Sequence, residues 1–281
     1  MTEAALRILH VSDLHFGKPC RPDVIDATEA HVHQARYDVV AISGDVAQRS
    51  LSGEFQRAAV FIREASKVSQ VIIVPGNHDV AWWTSPMHVL GTEPLYRRYR
   101  RHISADLEPV LRVPGAVFVG VNTSHGVARY TLTTRPRDVS IIGAVQPSQL
   151  DRVSTMCAQT APTDLRVVVM HHNPVLGQLS NRYGIKHAAR ILDSYAANGV
   201  DLVLCGHDHQ EALNPLSFGA HQMLVCTAGT LSDRSRGGRA SSLFAITATA
   251  SSLHVETHAW LDDAHRFEVS APQCFARSSR A

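Results

Sequence analysis

The amino-acid sequence predicts an α/β fold whose first two thirds form mostly parallel strands. Short runs rich in Val, Ile and Leu, each ended by Gly, Pro, Asn or Asp, are typical of strands buried on both faces. Helix-length segments separate the early runs, and this alternation favours parallel pairing. After Gly206 the helices stop and strands follow at short intervals, which predicts an antiparallel second half or a second sheet.

The predicted strands, in chain order, are residues 6–11, 38–43, 70–74, 116–122, 165–170, 200–205, 222–228, 242–247 and 252–258. The predicted helices are residues 23–36, 53–66, 147–159 and 184–198. Pro147 stands in the first turn of the third helix, where its missing N–H costs nothing. Gly199 follows the fourth helix, at a position where helices commonly end.

Two stretches lack a clear period and are expected to form loops or small helices over a site. The first, 80–114, would be a lid or substrate-shaping insertion within a single domain spanning residues 1–281. It contains the basic run 97–101, which we expect on a solvated helix face rather than against nucleic acid. The second, 131–138, carries Arg135 and Arg137.

Composition excludes several classes of protein. A net charge of +2 on 281 residues gives little bulk attraction for nucleic acid or membranes. Five cysteines without a Cys-x-x-Cys pair argue against a disulfide framework or a thiolate zinc site, and reduced cysteines favour the cytoplasm. We expect no secretory signal and no membrane helix, since no apolar run approaches ~20 residues.

Polar segments end five of the apolar runs, and several of the 17 histidines lie in them. In order they are Ser12-Asp13-Leu14-His15, Gly44-Asp45, Pro75-Gly76-Asn77-His78-Asp79, His171-His172-Asn173-Pro174 and Gly206-His207-Asp208-His209. Ligands bind in the crevice at the carboxyl ends of strands in open α/β sheets. Five adjacent strands would therefore bring Asp, Asn and His side chains into one crevice.

Carboxylate, amide and imidazole ligands suit Mn, Fe, Zn or Co, and we favour Mn or Fe. Two divalent cations can clamp the attacking and leaving oxygens of a phosphoryl displacement and lower the pKa of bound water. Gly44, Gly76 and Gly206 stand just before the expected ligands, where a turn needs a positive φ or close backbone approach.

The five blocks together resemble the calcineurin-like metallophosphoesterase superfamily, over roughly residues 8 to 209. The resemblance implies a four-layer αββα sandwich, with two mixed β-sheets flanked by helices, and a dinuclear metal centre. By that pattern the first metal ligands are Asp13, His15, Asp45 and His209. The second set is Asp45, Asn77, His171 and His207, with Asp45 bridging.

His78 would act as general acid or hydrogen-bond the phosphate, and Asp79 would orient it. His171 directly follows its strand and is the expected ligand, while His172 is left open as ligand or substrate contact. His125 and Arg234 are further candidate substrate contacts, although surface-loop positions explain them equally.

Within the superfamily, the paired histidines before Pro174 and the Gly-Asn-His-Asp block look most similar to the bacterial cyclic-nucleotide and glycerophosphodiester phosphodiesterases. The expected reaction is hydrolysis of a small phosphodiester resembling 3′,5′-cAMP. The alternatives are a DNA-processing nuclease, a phosphomonoesterase and a non-catalytic scaffold. Trp82, Trp83 and the pair Val89-Leu90 form either a pocket wall or an interface patch, so a homodimer remains open.

Overall fold

The computed structural model describes residues 5–134 and 138–280, and the predicted loop arginines Arg135 and Arg137 lie outside these ranges. Within them the chain forms five α-helices and thirteen β-strands. The helices are α1 (Pro22–Ala35), α2 (Ser52–Ala65), α3 (Glu93–His102), α4 (Pro147–Ala158) and α5 (Ala188–Ala197). The strands are β1 (Leu6–Val11), β2 (Val39–Ile42), β3 (Gln70–Ile73), β4 (Val110–Val113), β5 (Ala116–Val121), β6 (Leu165–His172), β7 (Leu202–Gly206), β8 (Ala212–Phe218), β9 (His221–Thr227), β10 (Ser242–Ala248), β11 (Ser252–Leu261), β12 (Arg266–Val269) and β13 (Gln273–Ala276).

The strands form two mixed sheets. The first has the order β12-β11-β10-β1-β2-β3, with β13 also paired to β11, and the second has the order β4-β5-β6-β7-β9-β8. β1, β2 and β3 run parallel to one another, as do β5, β6, β7 and β9. The other pairings are antiparallel. The last third of the chain therefore contributes strands to both sheets.

Three apolar layers hold the sandwich together. Between the sheets, fully buried side chains of β1 and β2 pack against those of β6 and β7, including Ile8, Ala41, Val169 and Leu204. The outer face of the first sheet lies under α1 and α2, and that of the second lies under α4 and α5. Strands covered on both faces need continuous apolar runs, which is the pattern in the sequence. The four-layer αββα sandwich is confirmed.

Local chemistry accounts for several element ends. Pro22 and Pro147 open α1 and α4 in the first helical turn. The Glu54 carboxylate accepts the backbone N–H of Leu51 at 3.2 Å, which satisfies a free donor at the start of α2. Arg36 ends α1 in the left-handed conformation, and its N–H donates to the carbonyl of Val32.

Two sequence expectations differ from the structure. The five strands that carry the polar segments are not neighbours in one sheet, because β1, β2 and β3 lie in the first sheet and β6 and β7 in the second. The stretch 80–114 is not irregular throughout, since it contains α3 and β4, and α3 carries the basic run on its surface. Within the described ranges, no helix combines the length and apolar character needed to cross a bilayer.

Candidate metal centre

The carboxyl ends of five strands from the two sheets meet at one edge of the sandwich. The N–H of Asp13, after β1, donates to the Gly44 carbonyl after β2 at 3.1 Å. The N–H of His207, after β7, donates to Oδ2 of Asp13 at 3.0 Å. This second bond joins the two sheets directly, so the polar segments of both are held against each other.

Asp13, His15, Asp45 and His209 form a first buried cluster. Nε2 of His209 lies 3.1 Å from Oδ1 of Asp13, and Nε2 of His15 lies 3.6 Å from the same oxygen. The two Nε2 atoms are 3.2 Å apart. Ligand atoms held ~2.0–2.2 Å from a single ion stand about 3–3.5 Å from one another, so these spacings suit one shared cation. The cluster is able to bind a metal ion.

Asp45, Asn77, His171 and His207 form a second cluster beside the first. Oδ1 of Asn77 lies 3.0 Å from Nδ1 of His207 and 3.1 Å from Nε2 of His171. Nε2 of His171 lies 3.4 Å from Oδ2 of Asp45. Two imidazoles, an amide oxygen and a carboxylate oxygen therefore converge on one point.

One carboxylate oxygen is common to both clusters. Oδ2 of Asp45 lies 3.8 Å from Nε2 of His15 and 3.4 Å from Nε2 of His171. The other oxygen, Oδ1, accepts the backbone N–H of His78 at 2.8 Å, which fixes the carboxylate plane. The seven side chains predicted as ligands are thus all brought together, with Asp45 between the two groups.

The backbone bends sharply to deliver these groups. Five of the seven residues have a positive φ, namely Asp13, His15, Asp45, His207 and His209. Such conformations are uncommon for residues other than glycine and concentrate at functional sites. Neighbouring glycines make room: a Cβ on residue 76 would lie 2.1 Å from Oδ1 of Asp45, and one on residue 206 would lie 2.4 Å from Oδ2 of Asp13.

Backbone carbonyls orient two of the imidazoles. Nδ1 of His171 donates to the Ser43 carbonyl at 2.8 Å, which leaves Nε2 facing the second cluster. Nδ1 of His209 donates to the Arg234 carbonyl at 2.9 Å, which leaves Nε2 facing the first. Partners of this kind select the tautomer and fix the ring plane of metal-binding histidines.

Electrostatics favours the metal-binding ionic state in three of the proposed ligands, Asp13, His15 and His207, and opposes it in His171. Burial alone would raise the pKa of Asp13, but the neighbouring His209 and His15 hold it well below its usual value. Burial lowers the pKa of His15 to about 4 and that of His207 to about 3, so both rings are neutral near pH 7. Although burial opposes it, Asp45 raises the pKa of His171 to about 9, so this ring carries a proton near pH 7 and must release it to bind a cation. Ionised carboxylates and neutral imidazoles are the forms that bind cations.

Within the first cluster, two buried polar atoms have no hydrogen-bond partner among the described residues. They are Oδ1 of Asp13 and Nδ1 of His15. A buried carboxylate oxygen without a donor is costly, and coordination to a cation would satisfy it. With the oxygen and nitrogen donor set, this observation fits a pair of divalent cations.

His78 lies beside the clusters, but Asp79 does not orient it as expected. Nδ1 of His78 donates to the Gln48 carbonyl at 2.7 Å. The Asp79 carboxylate accepts backbone N–H groups of Ala47 at 2.8 Å and Gly76 at 2.9 Å, which turns it away into the loop. Burial raises the pKa of Asp79 to about 7. Asp79 therefore stabilises the turns after β2 and β3, which carry proposed ligands, and the Gln48 carbonyl orients His78.

The adjacent histidines 171 and 172 have different hydrogen-bond partners. The His172 ring comes within 4.6 Å of the His207 ring, measured between centroids. Both of its nitrogens are already bonded, however, Nδ1 to the Thr123 hydroxyl at 2.7 Å and Nε2 to the Ile141 carbonyl at 2.8 Å. His171 is therefore the residue whose nitrogen faces the second cluster.

The two remaining candidate contacts lie in different places. His125 does not line the cavity beside the clusters; its ring is buried, and Nε2 donates to the Ala144 carbonyl at 3.2 Å. It lines a separate cavity with Tyr96 and Tyr130. Arg234 lies at the site, where Nη1 donates to Nε2 of His78 and to Oε1 of Gln48, both at 3.0 Å.

A cavity of about 540 Å³ opens beside Asn77, His78 and Arg234. Residues that sequence reasoning did not assign to the site also line it, among them Gln48, Leu51, Val139 and Ile141. Gln48 follows Asp45 closely, so its position near the site was readable from spacing. Val139 and Ile141 come from a distant loop and carried no such signal. Trp82 and Trp83 form part of its wall, the first of the two alternatives considered for this pair.

Comparisons with known proteins agree with this geometry. The model of the calcineurin-like phosphoesterase family matches residues 6–211. The 3′,5′-cyclic adenosine monophosphate phosphodiesterase CpdA of Escherichia coli is 26% identical over 225 residues, which cover 74% of this chain and 71% of the relative.

Solved structures with the same fold are more distant in sequence. A purple acid phosphatase from yellow lupin (Lupinus luteus) seeds matches 99% of this chain with a TM-score of 0.70 at 12% identity, and the chain spans only 55% of its length. PhoD matches 98% of the chain with a TM-score of 0.67 at 11% identity, over 70% of its own length. The family model covers most of the chain, including the five polar segments that carry the proposed ligands. The chain belongs to the calcineurin-like phosphoesterase family.

Proposed function

We propose that this protein is a metal-dependent phosphodiesterase that hydrolyses a small diester such as a 3′,5′-cyclic nucleotide. The observation that carries the proposal is the Asp45 carboxylate, one oxygen of which faces both ligand clusters beside an open cavity. The printed name of the E. coli relative, a cyclic adenosine monophosphate phosphodiesterase, supports the choice of a diester.

In this proposal each cluster holds one divalent cation, with manganese or iron favoured. The first set is Asp13, His15, Asp45 and His209, and the second is Asp45, Asn77, His171 and His207. When bound, such a pair polarises the phosphoryl oxygens and activates a water nucleophile. The protein keeps the ligand atoms in place through carbonyl contacts to His171 and His209.

His78 and Arg234 would act on the phosphoryl group from the cavity side. Nδ1–H of His78 donates to the Gln48 carbonyl, so Nε2 is the atom that would first take up a proton from water and then hydrogen-bond the ester or pass that proton to the leaving oxygen. Arg234 places a guanidinium donor at that same nitrogen. A phosphate entering there would attract the guanidinium, which matches phosphate oxygens well.

The stretch 80–114 would shape the substrate site within a single domain spanning residues 1–281. Trp82 and Trp83 line the cavity directly, and the N–H of Ala81 donates to the Leu95 carbonyl of α3 at 3.0 Å. The segment is therefore anchored to a helix while it presents side chains to the cavity.

The test is turnover of a substrate panel by purified protein loaded with Mn²⁺, Fe²⁺ or Zn²⁺. We expect hydrolysis of cyclic AMP and of bis(4-nitrophenyl) phosphate, and slower hydrolysis of the monoester 4-nitrophenyl phosphate. Asn77→Ala, prepared in parallel, controls for contaminating activity, since it removes a proposed ligand. Absence of turnover of every ester would overturn the proposal, and a strong preference for the monoester would replace it with a phosphomonoesterase.

A further inference from the structure

The cavity beside the metal clusters is lined by both polar and apolar side chains. The polar ones are Gln48, Arg49, Asn77, His78, Ser140 and Arg234, of which Gln48, His78 and Arg234 are hydrogen-bonded together. The apolar side chains are Leu51, Val80, Trp82, Trp83, Val139 and Ile141. A volume of about 540 Å³ falls within the range of small-ligand pockets, roughly 300–1,000 Å³. The cavity therefore suits a ligand that joins an anionic group to an apolar group of moderate size.

Packing within the protein leaves three of these apolar side chains largely uncovered. Trp83 is 48% exposed, Leu51 is 48% exposed and Ile141 is 44% exposed. Exposed apolar side chains gathered in one concave place mark a binding site more often than scattered ones do. Trp83 offers the largest surface of the three, so a ligand that covers it would gain most from desolvation.

The Trp82 ring packs edge-on against the Trp83 ring. The Trp82 and Trp83 ring centroids are 6.1 Å apart, with the planes at 82°. Trp82 is half-buried against Val80 and Leu95, so it provides a packed support for its neighbour. An exposed indole that packs against a neighbouring ring offers a flat apolar surface on which a planar ring can stack.

The tryptophans follow His78 closely in the sequence and line the same cavity. Trp83 is five residues after His78, and the turn between them keeps both on the cavity wall. Phosphate beside His78 and Arg234 and a planar ring against Trp83 together describe an aryl or nucleobase-bearing phosphoester. A purely polar alcohol such as glycerol would leave the apolar wall uncovered.

We propose that Trp83, supported by Trp82, is a specificity-determining residue that stacks on a planar aromatic ring carried by one ester arm of the substrate. This inference rests on the proposed phosphodiesterase function for its link to catalysis. It also makes a binding claim that holds without turnover.

Binding to the Mn²⁺-loaded protein tests the claim directly. We compare 5′-AMP, phenyl phosphate and ribose 5-phosphate by calorimetry and by quenching of intrinsic fluorescence. Two of the three tryptophans line the cavity and Trp260 is buried in β11, so quenching reports on this cavity. Stacking of one base predicts binding of 5′-AMP roughly 10- to 100-fold tighter than ribose 5-phosphate. Phenyl phosphate separates a general aryl preference, with affinity near that of 5′-AMP, from a nucleobase preference, with affinity nearer ribose 5-phosphate.

Variants assign the effect to the residue. Trp83→Ala should lose the advantage of 5′-AMP over ribose 5-phosphate, and Trp83→Phe should retain much of it. Val89→Ala is the control, because Val89 is 79% exposed on the same segment but does not line the cavity. In turnover, Trp83→Ala should raise KM for cyclic AMP by a similar factor and leave glycerophosphoethanolamine unaffected.

The two proposals fail in different ways. Ring-dependent binding without hydrolysis of any ester would overturn the phosphodiesterase function and leave the ring site standing. Equal binding of 5′-AMP and ribose 5-phosphate, or equal losses on both in Trp83→Ala, would overturn the ring site whatever the turnover.

Discussion

Nη1 of Arg234 lies 3.0 Å from Nε2 of His78, so a guanidinium donor faces the ring nitrogen proposed to act on the phosphoryl group. The backbone carbonyl of Arg234 also accepts the hydrogen bond that orients His209. A single residue of the loop between β9 and β10 therefore connects the first ligand cluster with the cavity. Displacement of this loop would disturb metal binding and phosphate contact together.

The shared carboxylate gives the sharpest test of the dinuclear arrangement. Asp45→Ala should lose both metal ions, because Oδ2 of Asp45 faces the two clusters. The measurement is metal content per chain by mass spectrometry after reconstitution and desalting. Asp151→Ala, at an exposed position on α4, is the matched control and should keep both ions. Retention of one tightly bound ion in Asp45→Ala would contradict a bridging role.

His78 is expected to act in turnover rather than in metal binding. Neither of its ring nitrogens faces a ligand cluster in the contacts described, since Nδ1 meets Gln48 and Nε2 meets Arg234. His78→Ala should therefore keep its metal content and lose roughly 10²- to 10⁴-fold in kcat. His265→Ala, whose side chain is 74% exposed, should match the unmodified protein. A metal-depleted His78→Ala would show that the residue is a ligand.

Two glycine-to-alanine variants test whether the close approach of Asp45 requires a glycine at position 76. In Gly76→Ala the new Cβ would lie 2.1 Å from Oδ1 and 2.3 Å from the backbone nitrogen of Asp45, so the turn must move. We expect a loss of about 1–3 kcal/mol in the free energy of unfolding, together with weaker metal binding. In Gly53→Ala, at the start of α2, the Cβ meets open space, and we expect a gain of about 0.4–1 kcal/mol. Urea unfolding of both variants measures the difference, and equal effects would refute the close-approach argument.

His125 should make stability depend on pH. Burial lowers the pKa of His125 to about 4, below the ordinary histidine value of 6.5. The unfolded chain therefore takes up this proton first as the pH falls. The stability contributed by neutral His125 is complete above pH 6.5 and declines between pH 6.5 and about pH 4, at up to ~1.4 kcal/mol per pH unit.

The variant His125→Gln removes that proton uptake. Its unfolding free energy should fall less steeply between pH 6.5 and 4 than that of the unmodified protein, as urea titrations at a series of pH values would show. Val89→Ala, at an exposed position without a titrating group, should leave the slope unchanged. A slope unaltered by His125→Gln would mean that the folded and unfolded chains take up this proton over the same pH range, which would contradict the lowered pKa of His125.

The sequence by itself determined which groups could meet and at which strand ends. The apolar runs form parallel strands that are buried on both faces, and they end in Asp, Asn and His. Reactive side chains lie at the carboxyl ends of such strands because only there does the strand leave the core. The order of those blocks was enough to predict the family, the four-layer sandwich and the seven converging side chains.

Only the tertiary structure decided which hydrogen bonds those groups make. His172 is held by Thr123, which is 49 positions away, and Asp79 by Ala47, which is 32 positions away. No local pattern reports such partners, because they depend on how two sheets and their loops pack. The same holds for the cavity wall, where Trp83 and Ile141 line one cavity although 58 positions of the chain separate them. Sequence periodicity specifies helices and strands. Which atoms of each functional side chain stay free of hydrogen bonds depends on how those elements pack.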